Sequence, residues 1–118
     1  MSSTTRNPEH FLPLSEFAFQ ILLALGNGAS HGYALGKEIE ERTSGRLKPT
    51  TGSLYVALKR LKDDGLIEEV EPGDDYSDAR RKYFSLTTLG RRVMALEVER
   101  LENLVSLARN RALAPKGL

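Results

Sequence analysis

The sequence predicts a mainly α fold with one small β-hairpin (α+β), ordered as three short helices, the hairpin and one long helix. Three observations carry this reading. Apolar residues recur at helical spacing in four separate stretches. Two short runs of strand character flank a polar segment rich in turn residues at 72–79. The last stretch then continues to residue 111 without meeting a proline. At 118 residues the chain accommodates one domain with an accessory element, and not two independent cores.

Residues 1–13 read as a flexible N-terminal arm ending at Pro13. Ser15 is a candidate N-cap, and Leu14, Phe17, Ala18, Ile21, Leu22 and Leu25 follow at helical spacing. Gly26-Asn27-Gly28 stops this helix, because both residue types tolerate the left-handed backbone that a helix end needs. A second helix is expected over residues 32–43, capped by Ser30 or His31, with Leu35 and Ile39 on its apolar side. Leu47-Lys48-Pro49 is extended, since the residue before proline avoids the helical region.

Thr50 or Thr51 caps a third helix, whose Leu54, Leu58 and Leu61 face inward and which Gly65 closes. Residues 66–71 and 82–86 form the hairpin strands. Thr87 or Thr88 caps the final helix, with Gly90 as the weak point near its start. Met94, Val98, Leu101, Val105 and Ala108 alternate by four and three residues, a coiled-coil-like seam, and Leu96 and Leu104 widen the apolar surface. So long an apolar helix cannot be covered by its own small domain, so a homodimer is expected.

Helix, helix, helix, hairpin is the order of a winged helix-turn-helix, with the second and third helices as the helix-turn-helix. The domain boundaries expected are an arm at 1–13, the winged domain at 14–87, a dimerisation helix at 88–112 and a tail at 113–118. The net charge of +1 says little, whereas its distribution is informative. Every charge from Arg42 to Lys62 is basic, every charge from Asp63 to Asp78 is acidic, and Arg80, Arg81 and Lys82 restore the positive sign.

One basic block falls on the third helix and the other on the hairpin, which points to double-stranded DNA as the partner. A reading helix meets base edges mainly from its N-terminal turn, so Thr50, Thr51, Ser53 and Tyr55 are candidate DNA-binding residues, with Lys59 further along. Tyr55 is alternatively a half-buried ring against the second helix. His31, Tyr33 and Lys37 on the second helix join the set, and Arg80, Arg81 and Lys82 supply the hairpin's contacts to a minor groove or phosphates. For His31 a packing role at the helix start competes with contact.

These residues fall in an ordered series of motifs. They are His31-Gly32-Tyr33, Gly45-Arg46-Leu47, Thr51-Gly52-Ser53-Leu54-Tyr55, Ala57-Leu58-Lys59-Arg60-Leu61, Asp64-Gly65-Leu66-Ile67, Arg80-Arg81-Lys82-Tyr83-Phe84 and Leu86-Thr87-x-x-Gly90. Over residues 14–110 the chain resembles the PadR-like regulators, in the compact subgroup with a single C-terminal helix. The resemblance implies a transcription factor, usually a repressor, that is a homodimer and often responds to a small hydrophobic effector. A dimer with two reading helices suits a palindromic operator, and the absence of cysteine and of an apolar span fits the cytoplasm. It implies an effector pocket or dimer core at Leu14, Phe17, Ala18, Ile21, Met94, Val98 and Leu101. The chain has no tryptophan, and Leu101 stands where a stacking ring is expected, which argues against a site for planar drugs. The chain departs from the family at the hairpin tip, where Tyr76-Ser77-Asp78-Ala79 replaces a glycine-rich turn, and at the acidic Glu68, Glu69 and Glu71.

Other classes find little support. Gly26-x-Gly28 with Gly32 has the wrong spacing for a dinucleotide fingerprint, and no P-loop is present. Two histidines and no cysteine exclude a Cys/His pair and give a metal centre little support, so neither an enzyme nor a cofactor is expected. No apolar run approaches the ~20 residues that cross a bilayer. The alternative that survives is a winged-helix module that docks proteins without specific DNA binding.

Overall fold

The computed structural model describes residues 7–71 and 81–115. A 3-10 helix at Pro8–Phe11 leads into α1 (Glu16–Leu25), followed by β1 (Ser30–His31), α2 (Gly32–Arg42), α3 (Thr51–Asp63), β2 (Ile67–Val70), β3 (Tyr83–Leu86) and α4 (Thr88–Asn110). The expected mainly α fold with a small hairpin is present, and the sheet carries one strand more. Its order is β1-β3-β2, antiparallel throughout, with His31 and Val70 both opposite Tyr83. A two-residue strand shows no alternation of its own, so only pairing with β3 defines it.

Each α-helix start is set by a polar side chain that accepts a free backbone N–H. Ser15 Oγ accepts the Ala18 N–H at 3.1 Å, and Thr50 Oγ1 accepts the Ser53 N–H at 3.0 Å. His31, not Ser30, starts α2, its Nδ1 facing the Ala34 N–H at 3.3 Å. Thr50, not Thr51, caps α3, and Thr87, not Thr88, caps α4. These caps satisfy amide groups that have no partner inside the helix. The apolar faces so positioned meet in one core built from Ile21, Leu22, Leu25, Leu35, Ile39, Leu58, Leu66, Ile67 and Val93.

Two features differ from expectation. The segment read as a flexible arm forms the 3-10 helix from Pro8 onward and packs against α4. It is held by Glu97, a side chain with only 1% exposure that the apolar seam of α4 conceals. The Glu97 carboxylate accepts the Leu14 N–H at 2.9 Å and receives Arg100 Nε at 2.6 Å and Nη2 at 3.1 Å. Gly90, read as a weakness, is a close-packing point: a Cβ there would lie 2.1 Å from the Leu66 carbonyl oxygen. Beyond Glu97 the helix leaves the domain, and Val98, Leu101, Leu104, Val105 and Leu107 are exposed. Among the described residues no helix is long and apolar enough to cross a membrane.

Gly90→Ala is expected to lower the unfolding free energy by about 3 kcal/mol, because backbone and not a movable side chain blocks the methyl; urea denaturation checks this. The Arg100 hydrogen bonds, with help from the Leu14 amide, hold the Glu97 carboxyl below its ordinary range despite burial. A carboxylate lowered by folding stabilises fully above its unfolded pKa of about 4.3, and that contribution is lost as pH falls through the folded value. Glu97→Gln is therefore expected to reduce stability near neutral pH and to flatten the acid limb below about pH 4, as read by denaturation at stepped pH.

Candidate nucleic-acid interface

The surface that could meet DNA is built by α2, α3 and the base of the hairpin. Leu54, Leu58 and Leu61 turn one side of α3 inward, which leaves Thr51, Gly52, Tyr55, Val56, Lys59 and Arg60 exposed. Tyr55 is 59% exposed and Tyr33, on α2, 68%. The expected alternative for Tyr55, a half-buried ring, is therefore not what forms.

Cations stand over both rings. The Arg81 guanidinium lies 5.6 Å from the Tyr33 ring centre, and Lys82 Nζ lies 6.0 Å from that of Tyr55. Such contacts bias long side chains toward one surface without neutralising their charge. Arg81 Nη1 also approaches His31 Nε2 at 2.9 Å, and the His31 ring meets Tyr83 edge-on at 5.2 Å. His31 thus combines the packing role with a place in the site: it starts α2, pairs with β3 and meets the hairpin arginine.

Tyr33, Lys37, Thr50, Thr51 and Tyr55 line a cleft of about 540 Å³ between α2 and α3. Ser53 is not brought into it. Its hydroxyl accepts the Thr50 N–H at 3.1 Å and lies 3.0 Å from Thr50 Oγ1, so both hydroxyls serve the helix cap. Ser53 instead borders a groove of about 750 Å³ on the other flank, with Phe17, Ala18, Val56 and Arg60. Lys59 turns along the helix to Asp63 at 2.9 Å, and Lys62 crosses to Glu69 of β2 at 3.4 Å. Among the described residues, part of the acidic block therefore balances the end of α3. Arg80 and the departing tip Tyr76-Ser77-Asp78-Ala79 lie outside the described residues.

The residues expected to form an effector pocket or dimer core divide by burial. Ile21 is fully buried in the protomer's own core, and it has no surface to offer a partner or ligand. Leu14, Phe17, Ala18 and Met94 are half-buried against that core, while Val98 and Leu101 are exposed. Of the apolar positions on α4 proposed for dimerisation, Leu104 and Val105 are exposed and Leu96 and Ala108 half-buried. Sequence reasoning missed Gly52 and Val56 on the outward side of α3; placing Val56 on a helical wheel opposite Leu54 and Leu58 would have found the latter.

The model of the transcriptional regulator PadR-like family matches residues 21–96, more than half of the chain. The chain belongs to the PadR-like family of transcriptional regulators. Its fold is similar to that of a PadR family transcription regulator from Clostridium difficile R20291, with a TM-score of 0.71 and 25% identity, covering 85% of this chain and 100% of that one. H. salinarum RosR is similar at a TM-score of 0.63 and 27% identity, covering 89% of this chain and 99% of that one.

An uncharacterised 37.1 kDa protein in transposon TN4556 of Streptomyces fradiae is 37% identical over 84 residues, or 71% of this chain. Protein X of Lysinibacillus sphaericus, also uncharacterised, is 33% identical over 61 residues, or 52% of this chain. The PadR-like chain spans 22% and 55% of the lengths of these two curated relatives. Helices α2 and α3 and the three strands lie within the stretch that the family model matches, while the first half of α1 and the outer half of α4 lie outside it.

Thr50→Ala is expected to lower stability by about 1 kcal/mol through loss of the cap, whereas Thr51→Ala changes it by less than about 0.5 kcal/mol. Thermal and urea denaturation of both variants distinguish a capping hydroxyl from an outward one.

Proposed function

We propose that this PadR-like chain is a sequence-specific DNA-binding repressor that acts as a homodimer in the cytoplasm. The observation that carries the reading is the surface where Arg81 and Lys82 stand over Tyr33 and Tyr55 beside the first turn of α3. A helix whose first turn faces outward fits the major groove, and flanking cations fit the phosphates on either side.

The exposed apolar side of α4 supports the dimer. Val98, Leu101, Leu104 and Val105 lie on a helix of about 35 Å, and water-facing rows of this kind are uncommon on monomers. Two protomers joined along α4 present two copies of α3, which suits a palindromic operator with half-sites about 34–36 Å apart or a multiple of that. A small hydrophobic effector at the dimer centre, against Leu14, Phe17, Ala18, Met94, Val98 and Leu101, would change the distance between the two reading helices and release the operator. Ile21 has no place in that set.

The test is duplex affinity measured across salt concentrations for the wild type and Leu101→Asp. Counterion release gives the wild type a steep fall in affinity with salt. Leu101→Asp is expected to sediment as a monomer and to bind at least about tenfold more weakly, having lost the linkage between half-sites. A flat salt response points instead to a protein-docking module, and an intact Leu101→Asp dimer removes α4 from the interface.

A further inference from the structure

Two outward residues of α3, Gly52 and Val56, border the groove beside Phe17 and Ala18 yet stay exposed. Gly52 lies in the first turn, where a Cβ would meet no atom within 4 Å and the backbone is not in the left-handed region. Alanine is the better helix former, by up to about 1 kcal/mol in a helix interior, so neither packing nor backbone conformation calls for glycine here. One turn on, Val56 is 70% exposed, an apolar branched side chain opposite the buried Leu54, Leu58 and Leu61.

Residues four apart on a helix share a face, so Gly52, Val56 and Arg60 form one row pointing away from the core. Lys59, beside this row, is drawn to Asp63 and away from the first turn. The row therefore has a gap at Gly52, a methyl-bearing surface at Val56 and a cation at Arg60, while Lys37 and Lys82 stand on the other flank of α3.

We propose that Gly52 and Val56 read a thymine in the major groove, Gly52 by admitting the base-pair edge against the helix backbone and Val56 by touching the thymine C5-methyl. The thymine methyl is the one apolar group that base pairs display in that groove, and apolar side chains recognise it by contact. A Cβ at position 52 would hold the helix away from that edge, while the surrounding cations meet the phosphates on either side. This assignment deepens the DNA-binding reading above and rests on it.

The experiment uses the 118-residue chain to select duplexes from a randomised library. Each thymine of the selected half-site is then replaced by deoxyuridine, which lacks only the C5-methyl. A single replacement, in one half-site only, is expected to weaken wild-type binding about fourfold, the effect of losing one buried methyl contact. The same replacement should cost Val56→Ala less than about 1.5-fold. Gly52→Ala is expected to bind the selected duplex at least about tenfold more weakly while melting at or above the wild-type temperature. Undiminished binding by Gly52→Ala, a fall in its melting temperature, or equal deoxyuridine effects in wild type and Val56→Ala overturns the assignment and leaves DNA binding standing. Absence of salt-dependent duplex binding by the wild type overturns the DNA reading and this assignment with it.

Discussion

Helix α4 starts against the backbone of Leu66 with no room for a side chain between them, and the direction of the whole helix follows from that approach. Thr87 fastens the crossing from three sides. Its N–H donates to the Leu66 carbonyl at 3.1 Å, its hydroxyl donates to the Gly65 carbonyl at 2.6 Å, and the same oxygen accepts the Gly90 N–H at 3.0 Å. One residue thus caps α4 and ties it to the turn that ends α3. The helix that carries the exposed apolar row therefore meets the turn after α3 through a close backbone contact.

The second constraint is electrostatic. Acidic residues follow the basic helix in sequence, and among the described residues two of them pair with its far end. Asp63 takes Lys59 and Glu69 takes Lys62. On the same flank of α3, Lys82 lies over the Tyr55 ring, and Arg81 lies over Tyr33 of α2. Elsewhere Glu16 pairs with Arg46, whose hydrogen bonds lower the Glu16 pKa, and this joins the start of α1 to the loop before α3. Charge is arranged to mark one face, although its sum is close to zero.

Glu97 shows how a polar group can serve a core without belonging to an apolar pattern. Its carboxylate anchors the segment before α1 to α4, in an environment that would destabilise an unpaired charge. Arg100 and the Leu14 amide supply the partners that make burial tolerable. The half-buried Leu14 is held there, so the N-terminal segment forms part of the wall beside α4.

Local rules were sufficient for much of this. The four helices, the two hairpin strands, the inward stripe of Leu54, Leu58 and Leu61, and Ser15 as the first cap were all legible in the sequence. Each depends on periodicity or capping over a few residues, and folding had only to accept it. The choice of Thr50 over Thr51, and of Thr87 over Thr88, was not legible, since adjacent hydroxyls satisfy the same local rule and differ only in how the preceding chain arrives. The strand at Ser30–His31, the burial of Ile21 within the protomer, the Glu97 anchor and the close approach at Gly90 were decided by the tertiary structure alone. Their partners are far away in the chain, Glu97 lying 83 residues from Leu14, and no local pattern records a contact made across that distance.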